Sequence, residues 1–557
     1  MFTMDSLVFL AIAVAILFAA VQRGGDGART MSEKTHRAIC GAAIAAGALV
    51  RLARLTSLPA GISAEEALVG VQAKALWQTG GFLFGQGLTT QLSQWAGETT
   101  GPLLAVLTAP FVGLFGMSKL TVRLPLALLS CAAMPAAYGL GEALSGRRAA
   151  RWMLLIAALC PIFVLEARMT CGSCAALYLL PIALCLIARG VTKPAALYPG
   201  MIVLALTAYA QDMYFFIAPA AILVCAIIAL IFGRKKRHAA ISGAIGLLLC
   251  VPAMLTAFVN LTGAEGMTLL GLIRIPRLEG FEKAFMAENW SVGDKLWAVL
   301  IGGVFQVLRH ENIHQAMYAP DGMLALFMFS LPLMALGALA LFARWTDGRR
   351  AAREKAAARA MVAATCAVTL AALVMFGSVG TLNTSGATGL FDHSALILFD
   401  AVLMTAGLCT IERKNLRCAA AMVALMAVNF AWLAVQLFGG SYQANANVYF
   451  PGFEQMAARA AEIQAETGEK INVTGNIYPH IQPSDGAEMM FLYATDADMR
   501  TAEAERGTRY ETIYVSEDMQ PEADQIYLAR ANEISNWDLE GFDYEESEGY
   551  VLIYPAR

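Results

Sequence analysis

Long runs of apolar residues, separated by short polar loops, fill the chain from its start to about residue 440. A helix needs about 20 apolar residues to cross the roughly 30 Å hydrocarbon core of a bilayer. Runs near this length predict twelve membrane spans, at 5–22, 38–57, 120–143, 152–167, 174–189, 197–211, 214–232, 239–258, 321–343, 359–378, 394–411 and 418–438. The predicted fold class is a polytopic α-helical membrane protein.

Basic residues predict the orientation of these spans. Every loop that follows an odd-numbered span is basic, as at Arg147, Arg148 and Arg151 and in the run 234–237. Basic loops remain in the cytoplasm, so the opposite loops are expected outside a plasma membrane. The chain then divides into three parts: 1–37, the first span and its cytoplasmic loop; 38–440, the main transmembrane domain with outer loops 58–119 and 259–320; and the tail 441–557.

Two further apolar segments do not fit this alternation. Reading 101–117 as part of an additional span would place the Arg147–Arg151 cluster outside. We therefore expect 101–117 and 296–307 to lie at the outer interface or to re-enter the membrane from it. Such segments are tolerated where they line a protein cavity.

The tail 441–557 has a different composition. It holds 22 acidic and 7 basic residues, whereas the first 440 residues hold 21 acidic and 33 basic residues. This contrast predicts a water-soluble, extracytoplasmic unit attached to a basic membrane body. A helix is predicted at 451–467, and strands are predicted at 470–474, 489–493, 512–515, 524–529 and 549–554. The tail is therefore expected to be a small α/β domain.

Composition excludes several classes of protein. Of the 557 residues, 58% are hydrophobic and 15% are charged, against about 25% charged residues in soluble domains. The basic residues lie in short loops rather than along one face, which excludes nucleic acid as a partner. The 11 cysteines lie between Cys40 and Cys418, so a disulfide-stabilised outer domain is not expected. Cys171 and Cys174 have CxxC spacing without a second pair, and buried thiols are favoured over a redox or metal site.

Glu65 and Glu66 are the clearest candidates for chemistry. They follow Leu58-Pro59 in the first outer loop and open a helical stretch that runs to Gly80. Two carboxylates at the outer mouth of a helix bundle could act as a base or bind a metal ion. They could also be helix-start residues behind an N-cap at Ser63, favourable to the helix dipole. The residues alone leave both interpretations open.

A longer pattern resembles a known superfamily. It comprises Pro59, Glu65-Glu66-Ala67 and Gly80, then Glu98 with Gly101-Pro102-Leu103, then Leu114-Phe115-Gly116 and Arg123-Leu124-Pro125, and finally Tyr138 to Arg147 and Glu166-Ala167-Arg168. This order resembles the N-terminal signature of protein O-mannosyltransferases and lipid A aminoarabinose transferases, which have the type-C glycosyltransferase (GT-C) fold. The resemblance is best over about residues 45–190 and is architectural beyond them.

The resemblance implies a sugar donor carried on a polyprenyl phosphate and an acceptor on the outer side of the membrane. The family's first loop reads Asp-Glu, with the Asp as catalytic carboxylate, and Glu65 stands in its place. Glu65 would then be the general base, with Glu66 as an orienting or metal-binding neighbour. No cofactor is assigned with certainty; Mg²⁺ or Mn²⁺ is the divalent cation that these carboxylates would suit. The longer side chain of Glu65 would be accommodated, alter the chemistry or mark a lost activity.

The phosphate of such a donor needs positive charge on the outer side. Arginine suits phosphate because its planar guanidinium can bind two oxygens at once. The candidates for substrate binding are Glu98, Arg168, Arg274, Arg277, Arg309 and His310. Each arginine could instead bind a lipid headgroup at the interface.

Three more acidic residues have two interpretations each. Glu166 would assist the carboxylates or pair with Arg168. Asp212 is expected in a solvated turn at an outer span end. Asp400 lies in a span, so it should face the bundle interior, as a structural residue or along a path for the lipid phosphate.

The leading interpretation is an integral membrane glycosyltransferase that moves a sugar from a polyprenyl-phosphate donor to an outer lipid, cell-wall polymer or protein. The alternatives are a transporter or flippase of lipid-linked sugars, and a non-catalytic relative whose tail recruits partners. No inverted repeat and few intramembrane charges are apparent, which disfavours a transporter.

Overall fold

A computed structural model gives the protein's fold. It describes residues 4–22, 31–93, 99–168, 170, 174–210, 213–277, 291, 293–294, 326–346, 353–376, 394–439, 450–476, 485–515 and 519–556. The helices before residue 440 are α1 (Met4–Gln22), α2 (Glu33–Leu52), α3 (Ala64–Thr79), α4 (Leu103–Phe115), α5 (Lys119–Ser145), α6 (Arg147–Leu159), α7 (Pro161–Leu165), α8 (Cys174–Gly190), α9 (Leu197–Leu206), α10 (Tyr214–Phe232), α11 (Lys236–Thr262), α12 (Ser330–Thr346), α13 (Arg353–Phe376), α14 (Ser394–Lys414) and α15 (Leu416–Phe438). The chain is mostly helical there, with a helix at each predicted span.

Fewer helices than predicted meet a strict test of length and hydropathy. In the described ranges, α5, α10, α11, α13 and α15 are long and apolar enough to cross a membrane. The bent pair α6–α7 gives a sixth span if it is counted as one. The other predicted spans coincide with shorter apolar helices or with helices that miss the test, so twelve spans remain a prediction.

The predicted span 152–167 is bent between α6 and α7. The two helices meet at Cys160-Pro161 with a bend of 59°. Pro161 has no backbone N–H and stands at the first position of α7, where none is needed. A one-turn 3₁₀ helix, Glu166–Arg168, then carries the chain towards α8.

Ion pairs and hydrogen bonds join the basic loops at one end of the bundle. Arg151 Nη2 donates to Glu412 Oε2 of α14 at 2.5 Å. Arg353 donates to the Ile231 carbonyl of α10 at 2.7 Å, and Arg359 Nε donates to the Leu144 carbonyl of α5 at 3.0 Å. These contacts bring together loops that the charge pattern assigned to one side. We refer to the opposite end as the outer side.

The outer loop after α2 contains α3, α4 and short strands. Strands β1 (Leu88–Thr89), β2 (Leu92–Ser93) and β3 (Thr99–Thr100) lie between the two helices, and β2 pairs antiparallel with β3. After α11, strands β4 (Met267–Leu269) and β5 (Ile273–Ile275) form an antiparallel hairpin, and β5 pairs parallel with β1. Segment 101–117 contains α4, and its location at the membrane interface stays a prediction; segment 296–307 lies outside the described residues.

A five-stranded sheet lies near the C-terminus. Its elements are α16 (Pro451–Thr467), β6 (Lys470–Thr474), α17 (Asp485–Ala494), α18 (Ala502–Glu505), β7 (Tyr510–Ile513), β8 (Gln525–Arg530), β9 (Phe542–Ser547) and β10 (Tyr550–Pro555). The strand order is β7-β6-β8-β10-β9, with β6 parallel to β7 and β8, and β10 antiparallel to both neighbours. The strand predicted at 489–493 is wrong: this segment is α17, and all five residues are buried.

Two main cores follow from this arrangement. One fills the helix bundle, with Trp152 and Tyr178 among its large buried side chains. The second includes residues of α3 as well as α16, α17 and the C-terminal sheet, for example Ala67, Phe453 and Met490. The C-terminal elements therefore share a core with the first outer loop.

Candidate functional site

The start of α3 presents the two adjacent carboxylates. Ser63 is the N-cap, and its hydroxyl accepts a hydrogen bond from the Glu66 backbone N–H at 3.2 Å. The Glu66 side chain accepts in return from the Ser63 backbone N–H at 3.3 Å. This is a capping box, so the helix-start interpretation is confirmed for Glu66. Glu65 lies in the same first turn, where the helix dipole favours negative charge.

Glu66 also forms a buried ion pair with Arg123 of α5. Arg123 Nε and Nη2 donate to the two carboxylate oxygens of Glu66, each at 2.8 Å. The exposed fractions of the two side chains are 0% and 2%. The bidentate geometry neutralises both charges inside the protein and fixes the orientation of Glu66.

Arg123 also organises the loop that leads into α3. Its Nη1 donates to the carbonyls of Leu55 and Pro59, and its Nη2 donates to the carbonyl of Gly61. One guanidinium therefore binds backbone carbonyls along the loop that joins α2 to α3. Because Glu65 directly precedes Glu66, this clamp also positions the Glu65 backbone.

Glu65 is the carboxylate left available. Its side chain is half-buried, and its Oε2 atom is buried with no hydrogen-bond partner in the described part of the chain. A buried carboxylate oxygen without a partner is costly, and such atoms in a protein call for an explanation. The arrangement leaves one acceptor atom free for a donor group from outside the fold.

A third carboxylate lies near Glu65. Glu166, which is 4% exposed, interacts electrostatically with Glu65 and accepts a hydrogen bond from Cys174 Sγ at 3.0 Å. The Thr170 N–H donates to Glu66 Oε1 at 3.4 Å. The start of α3, the 3₁₀ turn and the start of α8 therefore converge on one acidic site.

Arg168 lies at this junction with a different role from the predicted one. Its exposed fraction is 1%. Nη1 donates to the carbonyls of Val50 and Ala53, at 2.6 and 2.9 Å, and Nη2 donates to that of Leu58 at 3.0 Å. These groups are the C-terminal carbonyls of α2 and the loop behind it. Arg168 caps α2, and this placement does not support phosphate binding.

Arg51 of α2 makes the reciprocal contacts, and the sequence analysis assigned it no role. Its guanidinium donates to the carbonyls of Ala157, Ala158 and Phe163, at 2.6–2.9 Å, on either side of the α6–α7 bend. It is fully buried. An arginine inside a predicted apolar span is the signal that could have identified it.

The structure describes two of the other residues predicted to bind the phosphate. Arg274 on β5 is exposed, and its Nη1 donates to the Gly85 carbonyl at 3.1 Å, which ties the hairpin to the loop after α3. Arg277 is exposed two residues beyond β5. The remaining predicted residues lie outside the described residues: Glu98, Asp212, Arg309 and His310.

The C-terminal elements pack against the back of α3. Tyr493 of α17 lies so close to Gly70 that a Cβ there would be 3.3 Å from its ring. Lys74 Nζ donates to Asp496 Oδ1 at 2.6 Å. Burial, with the nearby charges of Glu454 and Glu66, raises the pKa of Tyr493 and keeps its phenol neutral.

The described residues do not form a divalent-cation site at the carboxylates. Within the described ranges, no group of three or more His, Cys, Asp or Glu side chains could hold a metal ion. Glu66 has both oxygens engaged by Arg123, so its predicted metal-binding role lacks a free ligand atom. Among the described cysteines, all except the half-buried Cys131 are buried free thiols.

Comparison with known proteins gives similarity to solved structures only. No family model matches the chain. No curated protein matches its sequence. The apo oligosaccharyltransferase of Archaeoglobus fulgidus is 12% identical, with 86% of this chain and 64% of that chain covered and a TM-score of 0.45. This chain thus spans less than two thirds of that protein's length.

ArnT from Cupriavidus metallidurans is similar over nearly its whole length. The apo structure is 13% identical, covers 94% of this chain and 98% of that chain, and has a TM-score of 0.46. The structure bound to undecaprenyl phosphate is 11% identical, covers 93% and 98%, and has a TM-score of 0.47. These similar structures are membrane glycosyltransferases of the GT-C fold, the group that residues 45–190 resemble.

Proposed function

We propose that the chain is a plasma-membrane glycosyltransferase that moves a sugar from a polyprenyl-phosphate donor to an acceptor on the outer side, with Glu65 as general base. One observation carries the proposal. Glu65 Oε2 is buried without a hydrogen-bond partner in the described chain, next to a carboxylate that is fully engaged by Arg123. The free acceptor atom lies at the position where the family signature has its catalytic carboxylate.

The proposed sugar transfer requires the protein mainly to position the reactants and to supply charge. The acceptor hydroxyl gives its proton to Glu65, and its oxygen forms a bond to the anomeric carbon of the sugar. The bond from that carbon to the phosphate oxygen breaks, and polyprenyl phosphate leaves with the electron pair. A positioned base contributes about 10²–10⁴-fold to such a step. No step is routed through a metal ion.

The neighbours of Glu65 suit this role. Since Glu66 is neutralised by Arg123, it adds little repulsion, while the start of α3 favours a charged Glu65. Glu166 interacts electrostatically with Glu65 as the third carboxylate of the site. Glu66 is thus proposed to orient Glu65 rather than to react.

The leaving phosphate would bind Arg274 or Arg277. Both are exposed on the outer side, and Arg274 is tied to the loop that follows α3. The C-terminal unit, which packs against α3, is proposed to be extracytoplasmic and to cap the site and screen acceptors. A lipid, a cell-wall polymer or a protein remains the acceptor class.

The test is single-turnover release of sugar from a panel of radiolabelled polyprenyl-phosphate sugars in proteoliposomes. Glu65→Gln keeps the shape of the side chain and one acceptor oxygen but removes the base. Transfer or donor hydrolysis is expected to fall at least about a hundredfold in this variant, within the range given by a positioned base. Thermal unfolding of both proteins in detergent shows whether the fold is retained.

Glu265→Gln is the matched control, because Glu265 is an exposed acid on the same outer side. It should keep wild-type turnover. If wild type and Glu65→Gln both bind donor and are equally inert, the catalytic assignment is wrong, and a transporter or a non-catalytic relative becomes the better interpretation. If Glu65→Gln turns over like wild type, another group is the base.

A further inference from the structure

The β4–β5 hairpin projects from the outer end of a membrane helix. It begins four residues after α11, which meets the test for a membrane span. Asn260 Nδ2 of α11 donates to the Pro276 carbonyl at 2.9 Å, and β5 pairs with β1. These contacts hold the base of the hairpin at the outer end of α11.

The tip of this hairpin is apolar and exposed. Leu270 is 85% exposed and Leu272 is 68% exposed, whereas at the base Ile275 is buried and its partner Met267 is 41% exposed. Single exposed apolar residues are common on proteins, but a contiguous group usually marks an interaction surface. Phe258 and Met254 of α11 are also exposed, at 57% and 44%.

The turn holds Leu270 outward at a conformational cost. Leu270 and Gly271 have φ values of 53° and 70°, and the Leu272 N–H donates to the Leu269 carbonyl at 3.0 Å. Two-residue turns with positive φ favour Asn or Gly at the first position, because a side chain such as leucine is strained there. A leucine at the most exposed point of such a turn indicates that its side chain has a use.

Two arginines flank the base of the hairpin. Arg274 and Arg277 are exposed, and Glu265 is the exposed acid next to β4. An apolar tip with cationic residues behind it matches the layers of a bilayer, where acyl chains lie beneath phosphate headgroups. The hairpin also follows directly on α11, a candidate membrane span with exposed apolar residues of its own, which favours a bilayer over a water-soluble partner.

We propose that the tip of the β4–β5 hairpin inserts into the outer leaflet, with Leu270 and Leu272 among the acyl chains and Arg274 and Arg277 bound to the phosphates of anionic lipids. The hairpin then anchors β1, and with it the loop after α3, to the membrane surface. The phosphate of the proposed donor would compete with lipid for the same two arginines, whereas insertion of the tip does not depend on the proposed reaction.

The first experiment places a bimane fluorophore on Leu270→Cys and, separately, on Leu272→Cys of the full chain. The labelled proteins are reconstituted with phosphatidylcholine and phosphatidylglycerol, with or without a lipid that carries a nitroxide near the headgroup. Tyr544→Cys is the control, because Tyr544 is 62% exposed on β9. Labelling of the unsubstituted chain gives the background from native thiols.

At least twofold quenching by the nitroxide lipid, together with protection from aqueous iodide, is expected at positions 270 and 272. The reverse pattern is expected at position 544. If positions 270 and 272 are reached by iodide and not by nitroxide lipid, the hairpin lies in water and the proposal is wrong. Because all three side chains are exposed, these substitutions leave the cores intact.

The second experiment tests the arginines. Quenching at position 270 is compared between vesicles with phosphatidylglycerol and vesicles of phosphatidylcholine alone, for the labelled chain and for the same chain with Arg274→Gln and Arg277→Gln. Stronger quenching with the anionic lipid, abolished in the double variant, is expected. A lipid dependence that survives in the double variant, or no dependence at all, would contradict phosphate binding by these arginines.

Discussion

The ion pair of Arg123 and Glu66 joins two helices and a loop through one guanidinium. Breaking a buried pair leaves a charge without a partner, which costs about 3–5 kcal/mol. We therefore expect Arg123→Met to lower the thermal unfolding temperature in detergent strongly. The double variant Arg123→Met with Glu66→Gln should recover part of the loss, because no charge then remains buried and glutamine keeps the N-cap acceptor.

Arg147→Met provides the comparison for this prediction. Arg147 pairs with Glu33 at the opposite end of the bundle, where both side chains are largely exposed. Exposed pairs contribute little to stability, so no measurable change is expected. Equal losses for Arg123→Met and Arg147→Met would mean that burial of the Arg123 pair is not what stabilises the fold.

At this scale the sequence predicted the position of the acidic site better than the roles of its residues. Glu65, Glu66 and Glu166 were identified from their order in the chain. The partner of Glu66 is 57 residues away at Arg123, and no local pattern reveals which of several arginines reaches it. For the same reason, the sequence suggested that Arg168 binds phosphate. In the structure its contacts are with backbone carbonyls of α2.

At the level of whole helices, two buried arginines each donate to backbone carbonyls at the end of a neighbouring helix. Arg51 of α2 reaches the α6–α7 bend, and Arg168 after α7 reaches the end of α2. Arg51→Met would leave several buried carbonyls without donors, at about 1–3 kcal/mol for each unsatisfied group. We expect this variant to lose at least about 2 kcal/mol of stability, measured by thermal unfolding in detergent.

Arg54→Met is the control for that prediction, because Arg54 follows α2 directly and its exposed side chain donates only to Ser57 among the contacts described. Its stability should equal that of wild type. If Arg51→Met is also unchanged, the bend at Cys160-Pro161 is stable without its arginine.

The spacing of hydrophobic residues predicted helices and strands well where a single repeat, of a helix or of a strand, dominates the segment. The helix at 451–467 has Phe453, Met456, Ala460 and Ile463 buried, as the spacing indicated. The apolar run 489–493 has no clear hydrophobic period. In the structure it belongs to a helix that packs against α3, and all five of its residues are buried. Strand β9 was missed, since half of its six residues are acidic and it is stabilised by pairing with β10.

The whole molecule combines a membrane body with a C-terminal unit that shares a core with α3. The change in charge predicted a boundary between the membrane body and the tail at about residue 440. The core that α3 shares with the C-terminal unit across this boundary leaves no local pattern in the sequence. Lys74 and Asp496 form an ion pair across this boundary, and the Met499 N–H donates to Gln78 of α3 at 2.9 Å. The unit therefore holds the helix that carries Glu65 as well as covering it.

This shared core predicts that α3 and the C-terminal unit lose their protection together. Met490 of α17 is fully buried in the core that contains Ala67 of α3. We expect Met490→Asp, which buries a charge without a partner, to increase hydrogen exchange at least tenfold in α3 as well as in α16, α17 and β6. Tyr544→Asp, on an exposed side chain, should change neither region. If exchange rises in the C-terminal unit while α3 stays protected, the two fold independently, and the unit could be removed without displacing Glu65.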